Sequence, residues 1–231
     1  MRIKNKFPLI IFCISLLSSF NINAQQSNLS VSEFEKAIGK TNIQLLDVRT
    51  AGEYQSGHLS NALLADWNND KEFERRTKAL DKKKPVYTYC LSGARSNAAT
   101  LWLRKNGFIA YNLTGGINAW KGADKPLKQA VTVKQMTLQE YLALIPKNKT
   151  VMVDFSAVWC PPCKIMAPVI DSLAKANVGR FLLVKVDGGD QPDISKILKV
   201  EVFPTFIIYK QGKEVWRKEG IVEVKDLIRE L

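Results

Sequence analysis

Histidine is nearly absent from this 231-residue sequence and cysteine is scarce, with one histidine and four cysteines. A structural zinc site takes four nitrogen or sulfur ligands. Apart from Cys13 in the N-terminal apolar run, the neighbouring pair Cys160 and Cys163 could complete such a set only with Cys90 and the single histidine, His58. We therefore expect neither a metal site nor a bound cofactor in this protein.

Long apolar runs are also lacking, except at the N-terminus. There, "MRIKNK" carries three positive charges, an apolar run covers residues 7–20, and the small residue Ala24 ends "NINA". This order is typical of a secretory signal peptide, and the run is shorter than the ~20 residues of a spanning helix. We predict that residues 1–24 are a cleaved signal peptide, the alternative being a membrane anchor. The mature protein is then exported without stable membrane insertion, and periplasmic if the source is a Gram-negative bacterium.

Acidic residues are the minority, since 22 Asp and Glu face 34 Lys and Arg, for a net charge of +12. The lysines are scattered, and the densest run, "DKKKP" at 81–85, contains an acid. A nucleic-acid-binding surface would gather its positive charge in one patch. Together with the export signal, this pattern predicts no nucleic-acid partner, although the charge is compatible with small anionic substrates.

Signal cleavage would remove Cys13 and leave three cysteines. Cysteines of exported proteins usually pair as structural disulfides, but three cannot all pair. A chain of this length with 46% hydrophobic residues can bury adequate cores without such crosslinks. We therefore expect the remaining cysteines to have chemical roles.

The first half of the chain alternates buried strands with helices. "SEFE" places Ser32 and Glu35 in capping-box spacing at the start of a helix that runs to about Lys40. "IQLLDVR", "KPVYTYC" and "AYNL" are typical of buried strands, and "RSNAATLWLRKNG" of a helix closed by glycine. This alternation predicts a mainly parallel sheet, whose ligands bind beyond the carboxyl ends of its strands. Asp47 and Cys90 stand at two such ends.

A second α/β unit follows a linker at residues 122–132. Its first helix, "LQEYLALI", has apolar residues at helical spacing. "TVMVDFSA", "RFLLVKVD", "TFIIYKQ" and "EVWRKEG" are predicted strands. We expect a helix from Cys160 to about Ala176 and a closing helix in "VEVKDLIREL".

The cysteine pair of "VWCPPCK" lies where a strand gives way to that longer helix. Amide groups and the helix dipole favour an anion at this position, which stabilises the thiolate of Cys160. Two intervening residues let both sulfurs meet across the first turn. The pattern predicts a reversible Cys160–Cys163 disulfide, with Cys160 as the nucleophile and Cys163 as the resolving thiol.

The second unit resembles thioredoxin over residues 132–231. The matching pieces are "VDFSAVWCPPCK", the proline eight residues after the first cysteine, and "VFPTF". The sequence departs from the family in having Pro-Pro between the cysteines, where Gly-Pro is frequent. It also has a bulky Phe203 where the family usually has a smaller aliphatic residue.

This resemblance implies roles for residues around the pair. It implies a cis peptide bond before Pro204 and a substrate surface lined by Trp159 and Phe203. It also implies that Asp154 is a buried acid that handles the proton of Cys163. Expected partners are protein disulfides and, as the source of electrons, a membrane-bound thiol reductant.

The lone Cys90 begins "CLSGAR", a loop between a strand and a helix. Such a loop can wrap its amides around an anion, and Gly93 permits the tight curl. Arg95 adds a positive charge at the rim. A cysteine at the centre of this loop is a stabilised thiolate that could attack sulfur or phosphorus.

The surroundings of this loop resemble a rhodanese domain over residues 28–127. The matching pieces are "LLDVRTAGEYQSGHL", "VYTYCLSGARSNAATLWLRKNGF" and "LTGGINAW". One departure is "LSNA", where the family tends to have "IPGA". The chain is thus expected to be α/β throughout, a rhodanese-like parallel-sheet domain followed by a thioredoxin-fold domain with a mixed sheet.

The rhodanese resemblance implies that Cys90 accepts a sulfane sulfur and carries it as a persulfide, with Arg95 beside it. Asp47 and Arg49 match a strand-end pair that supports the loop, and His58 is expected to be structural. The residues whose amides are implied to cradle the sulfur are Leu91, Ser92, Gly93, Ala94 and Ser96.

Two alternatives to sulfur transfer remain. Cysteine phosphatases use a loop one residue longer than the four residues between Cys90 and Arg95, so the loop length favours sulfur. The first domain could also serve only as a module that docks a partner. We predict an exported thiol–disulfide oxidoreductase with a sulfurtransferase domain that takes small sulfane-sulfur donors. A further hypothesis is that the Cys160/Cys163 pair reduces the Cys90 persulfide.

Overall fold

The computed structural model describes residues 27–129 and 133–231. The predicted signal peptide lies outside these residues, as does part of the predicted linker. No helix of the described residues is long and apolar enough to span a bilayer. The elements are, in chain order, β1 (Asn28–Leu29), α1 (Val31–Ile38), β2 (Gln44–Asp47), α2 (Ala51–Gln55), β3 (Leu63–Leu64), α3 (Asp70–Thr77), β4 (Val86–Tyr89), α4 (Ala94–Lys105), β5 (Ala110–Leu113), α5 (Gly116–Gly122), α6 (Leu138–Ala143), β6 (Val151–Ser156), α7 (Pro161–Ala176), β7 (Leu182–Asp187), α8 (Pro192–Ile197), β8 (Thr205–Lys210), β9 (Lys213–Glu219) and α9 (Val224–Glu230).

The first domain is built on a parallel sheet, as predicted. Its strand order is β1-β5-β4-β2-β3, and every neighbouring pair is parallel. The three central strands are almost entirely buried, which is typical of a parallel sheet covered by helices on both faces. Asp47 is in register with both Tyr89 and Leu64, so the carboxyl ends of β4, β2 and β3 share one edge of the sheet.

The helix at the start of this domain is capped two residues earlier than predicted. The capping box is formed by Ser30 and Glu33, with Ser30 N donating to the Glu33 carboxylate at 2.9 Å. The prediction of Ser32 and Glu35 was therefore wrong. Both serines are followed at the third position by glutamate, so local spacing could not choose between them.

The second domain has a mixed sheet, as predicted, with strand order β7-β6-β8-β9. β6 and β7 are parallel, whereas β8 pairs antiparallel with β6 and with β9. α7 begins at Pro161 and is capped by Cys160. Prolines are tolerated in a first turn because its N–H groups have no partner within the helix.

The two domains share a hydrophobic cluster. Leu59 and Leu64 of the first domain belong to the same buried cluster as Trp159 and Cys160 of the second. β3 ends the strand order of the first sheet, and Leu64 N donates to Trp159 O at 2.9 Å. The cysteine pair therefore faces the edge strand of the neighbouring domain.

Candidate functional sites

The loop after β4 wraps the Cys90 sulfur. Gly93 N lies 3.1 Å and Ser96 Oγ 3.4 Å from Cys90 Sγ. Gly93 caps α4 with a φ of 95°, a left-handed conformation that glycine adopts without strain. Of the five residues predicted to cradle the sulfur, Ser92, Gly93 and Ser96 donate to it, and no such bond comes from Leu91 or Ala94 in the described part of the chain.

Ionisation of Cys90 is favoured in this loop. Burial opposes the charged form, but hydrogen bonds from Ser96 and from the amides of Gly93 and Ser92 outweigh burial and lower the pKa of the Cys90 thiol. The thiolate is the nucleophilic form of cysteine. The loop therefore favours the form of Cys90 that performs nucleophilic sulfur chemistry.

A second glycine turn supports the loop from behind. Ile117 N donates to Cys90 O at 2.8 Å, and Asn118 N donates to Leu91 O at 3.1 Å. Gly116 has a φ of 59°, and a Cβ at this position would lie 2.5 Å from Cys90 O and 2.7 Å from Leu91 O. The loop therefore requires glycine at 116, a residue that sequence reasoning did not single out although "TGG" marks the turn.

The Arg95 guanidinium at the rim of the loop forms an ion pair with the Glu53 carboxylate. Glu53 is another residue that the sequence prediction missed. Two guanidinium nitrogens of Arg95 donate to the Glu53 carboxylate at 2.9 and 2.5 Å. These hydrogen bonds lower the pKa of Glu53 to about 2. Glu53 also forms the capping box of α2 with Thr50. α2 therefore fixes the Arg95 guanidinium in place, and the nearby Cys90 charge further favours its protonated form.

Asp47 and Arg49 form a buried ion pair at the end of β2, with Arg49 Nη2 2.6 Å from Asp47 Oδ2. The same nitrogen donates to Gly57 O at 2.8 Å, which ties the strand end to the turn after α2. A buried ion pair is stable only when its remaining donors and acceptors are satisfied, and this one is extensively bonded. The Arg49 guanidinium also lies 5.6 Å from the centre of the Tyr89 ring, so the pair packs against the residue that precedes Cys90.

His58 packs as a structural residue in the same region. Its Nδ1 lies 3.0 Å from Tyr54 O, and its ring stacks on the Tyr54 ring at 3.7 Å between centroids. Its backbone pairs with Lys128 of the linker. Within residues 27–129 and 133–231, no group of three His, Cys, Asp or Glu side chains could hold a metal ion.

The second site is the Cys160–Cys163 disulfide at the start of α7, with Cα atoms 5.3 Å apart. Cys163 N lies 3.3 Å from Cys160 Sγ, so the helix amide is aimed at the sulfur of the predicted nucleophile. The Phe203–Pro204 peptide bond is cis, as the resemblance implied. The Trp159 and Phe203 rings meet edge to face at 5.8 Å.

Two glycines allow these rings to lie against the backbone. A Cβ on Gly189 would lie 2.7 Å from Trp159 Nε1, and one on Gly188 would collide with the Phe203 ring. Sequence reasoning missed both, although "VDGGD" directly after a predicted strand is a signal of close backbone approach.

Asp154 lies on the central strand β6 and is buried. Burial raises its pKa to about 6, and Oδ1 has no hydrogen-bond partner in the described part of the chain. A carboxyl group with this pKa exchanges its proton close to neutral pH. The environment of Asp154 therefore suits the proton-handling role that the resemblance implied.

We expect Asp154→Asn to remove a pH dependence of stability. Because the folded pKa exceeds the unfolded value, the folded chain binds the proton more tightly, and the free energy of unfolding falls as pH rises from about 4 through about 6. The variant should lose the share of this slope that Asp154 contributes, although burial also raises the pKa of Asp47 and of Asp187. It should gain about 2–3 kcal/mol above about pH 7, since each pKa unit is worth ~1.4 kcal/mol. Denaturant unfolding of the oxidised protein at several pH values measures this.

The matched control is Asp193→Asn. Asp193 is an exposed acid of the same domain and is not among the charges that shift the pKa of Asp154, so its replacement should retain the slope. If the stability of Asp154→Asn fell with pH as steeply as that of the wild type, a raised pKa at Asp154 would be contradicted.

Residues of the first domain surround Trp159 and Phe203. The Arg76 guanidinium lies 4.5 Å from the centre of the Trp159 ring system, and Arg75 Nη1 donates to Phe203 O at 2.6 Å. The Tyr54 ring meets Trp159 edge to face at 6.2 Å. None of the contacting residues of the first domain was predicted, since they lie in α2 and α3, for which the sequence offered only polar, charged segments.

Family models match both halves of the chain. The model described as "Rhodanese-like domain" matches residues 30–123, and the model described as "Thioredoxin" matches residues 132–231. These ranges lie within the predicted domain bounds of 28–127 and 132–231.

The relatives that this chain matches include thioredoxins. Thioredoxin Y, chloroplastic, of Oryza sativa subsp. japonica is 32% identical over 143 residues, which cover 60% of this chain and 81% of that protein. Thioredoxin Y1, chloroplastic, of Arabidopsis thaliana is 35% identical over 88 residues, 38% of this chain; the match spans about half, 51%, of that protein. Among solved structures, a rhodanese-related protein from Thermoplasma volcanium is 25% identical with a TM-score of 0.40, covering 44% of this chain and 96% of that chain.

Proposed function

This chain belongs to the thioredoxin family and carries a rhodanese-like domain ahead of its thioredoxin domain, and from this we propose a coupled function. Sulfane-sulfur transfer at Cys90 is coupled to thiol–disulfide exchange at Cys160 and Cys163. The observation that carries the proposal is the loop that lowers the pKa of Cys90, in a chain that also holds a redox disulfide. We further propose that the protein is exported, and that a membrane-bound thiol reductant restores its dithiol.

The first step loads sulfur on Cys90. The Cys90 thiolate attacks the outer sulfur of a donor such as thiosulfate, the donor S–S bond breaks, and sulfite leaves with the bonding electron pair. Cys90 then carries a persulfide. The amides of Gly93 and Ser92 and the Ser96 hydroxyl, which lower the Cys90 pKa, would also stabilise the terminal sulfur anion.

The second step returns Cys90 to its thiolate. The Cys160 thiolate attacks the outer sulfur of the persulfide, and the S–S bond to Cys90 breaks. The Cys163 thiolate then attacks Cys160 Sγ, expels the extra sulfur as hydrosulfide, and closes the disulfide. The two electrons that reduce the sulfane sulfur come from the pair, which ends oxidised.

In the arrangement described, this second step requires the domains to separate or two molecules to meet. Trp159 is bonded to Leu64, Leu64 is in register with Asp47, and Asp47 is in register with Tyr89. The backbone next to Cys160 and the backbone next to Cys90 are therefore three strand spacings apart, about 14 Å, and β3 and β2 lie between them.

A docking role for the first domain is the second candidate function. It is favoured by the contacts of Leu64 and Arg75 with the backbone around the cysteine pair. Under this alternative the domain binds the thioredoxin domain or its partners, and Cys90 carries no sulfur during turnover.

A single turnover of fully reduced protein with one equivalent of thiosulfate tests the coupled function. Hydrosulfide release should match formation of the Cys160–Cys163 disulfide one for one, while Cys90 is recovered as a thiol. Cys90→Ser should form neither product, because the carrier thiolate is gone.

Pair oxidation that is equally fast in Cys90→Ser would contradict coupling and favour the docking role. The dependence of the rate on protein concentration distinguishes the two routes of the coupled reaction, since a reaction between molecules accelerates with concentration and one within a molecule does not.

A further inference from the structure

The cysteine pair is inaccessible in this arrangement of the domains. Cys160 is fully buried and Cys163 is 5% exposed. The flanking residues Pro161, Trp159 and Phe203 are buried as well. Thiol–disulfide exchange proceeds by attack of a thiolate on a sulfur, so an incoming partner must first reach one of these atoms.

Three backbone segments around the pair each accept a hydrogen bond from the first domain. Trp159 O accepts from Leu64 N at 2.9 Å, Gly189 O accepts from Gln55 Nε2 at 2.8 Å, and Phe203 O accepts from Arg75 Nη1 at 2.6 Å. These acceptors belong to the segment before α7, the turn after β7 and the segment before β8. The first domain thus contacts three separate chain segments of the second domain near the disulfide.

Arg76 connects the edge strand to the aromatic part of this surface. Its Nη1 donates to Leu64 O at 2.9 Å, and its guanidinium lies over the Trp159 ring. Burial lowers the pKa of Arg76 to about 10, because its guanidinium is removed from water. Contacts with the Trp159 ring, Leu64 O and the Glu72 carboxylate replace part of the lost hydration. Beside the shared hydrophobic cluster, the interface thus includes polar contacts, which are more frequent between domains of one chain than in obligate interfaces.

We propose that the rhodanese-like domain covers the surface around Cys160 and Cys163 through which the thioredoxin domain exchanges disulfides. Partners of the cysteine pair must then displace the rhodanese-like domain. The surface offers carbonyl acceptors at Trp159, Gly189 and Phe203 and an aromatic face at Trp159. It therefore fits an extended segment that presents a backbone N–H and, close by, a basic side chain. We expect disulfide-bearing partners with arginine or lysine beside the disulfide to compete best.

This inference rests on the proposed function only in that the pair exchanges disulfides. It does not require Cys90 to carry sulfur. The test accordingly uses no sulfane donor, so a failure of sulfur transfer at Cys90 would leave the result unaffected.

The test measures how fast dithiothreitol reduces the pair in the oxidised full-length protein. Arg75→Gln and Arg76→Gln are made singly and together, and new thiols are trapped with a maleimide and counted by mass. The double variant should be reduced about tenfold faster, because loss of the charged hydrogen bond and the cation–π contact shifts the domains toward the open arrangement.

Arg104→Gln is the matched control. Arg104 is also partly buried in the first domain and donates to a carbonyl, Ala110 O at 3.2 Å, but within its own domain. This variant should be reduced at the wild-type rate. Equal rates for the wild type and a folded double variant would overturn the proposal.

Arg75→Gln alone keeps the proposal falsifiable if the loss of the buried Arg76 impairs folding. Arg75 is only half-buried, and its loss should accelerate reduction about threefold or more. A cysteine-free, arginine-containing extended peptide should slow reduction of the opened variant, and an acidic peptide should not. Equal effects of the two peptides would overturn the assigned partner chemistry.

Discussion

Replacing Cys160 with serine should abolish reduction of protein disulfides, a loss of at least about a thousandfold, as for other removed nucleophiles. Cys160 caps α7, and its sulfur receives the Cys163 amide at the positive end of the helix dipole. Cys163 stays in the domain as a thiol, but it lies inside the first turn of α7 and does not cap the helix, so the variant lacks the stabilised nucleophile. Turnover of a fluorescent protein disulfide measures the loss.

Cys163→Ser should behave differently, because its nucleophile is intact and only resolution fails. Mixed disulfides with the substrate should accumulate on Cys160 and be visible by mass. Cys90→Ser is the control and should retain disulfide reduction. If alkylation at neutral pH found Cys163 to be the more reactive thiol, the roles of the two cysteines would be reversed.

The second large effect is expected at Cys90. Thiosulfate should add one sulfur atom to Cys90 of the wild type, and Cys90→Ser should not be loaded at all. An aryl phosphate should not be hydrolysed, because the loop between Cys90 and Arg95 is one residue shorter than a phosphatase loop. Equal activity on both substrates would contradict the argument from loop length.

Gly116→Ala tests the support of the loop while leaving Cys90 in place. The new Cβ would lie too close to Cys90 O and Leu91 O for van der Waals contact. The left-handed backbone conformation of residue 116 would cost a further ~1–2 kcal/mol for alanine. Sulfur loading should fall about a hundredfold, because the donors around the sulfur shift by a fraction of an ångström or more.

Gly122→Ala is the matched control for this variant. Gly122 ends the same helix, α5, and a Cβ there meets nothing within 4 Å. It should load sulfur like the wild type. Loss of loading in both variants would show that the effect comes from helix α5 as a whole and not from contact with the loop.

Both chemical centres could be predicted from local sequence, because each is built by residues close together in the chain. Cys160 and Cys163 need only a strand end and the helix that follows it. The donors around Cys90 come from the same turn, at Gly93 and Ser96. The parallel and mixed sheets were also predicted correctly, since their strands are short apolar runs between polar turns.

Several elements of the first domain escaped prediction because their local signal is weak. β3 has two residues, and α3, "DKEFERRT", has Phe73 as its one large apolar side chain. Hydrophobic periodicity cannot identify a helix of this kind. The support of the Cys90 loop by Gly116 was missed for a related reason, since Gly116 lies on the far side of β5 in the chain and contacts the loop only after folding.

The sequence by itself determined which residues can do chemistry here: a thiolate in an amide-lined loop and a dithiol at a helix start. Only the tertiary structure decided that the dithiol is covered. The covering contacts join residues 134 and 128 positions apart, Gln55 with Gly189 and Arg75 with Phe203. Every residue carries a backbone carbonyl that can accept a hydrogen bond, whatever its side chain. The residue types at Gly189 and Phe203 therefore could not have revealed these contacts.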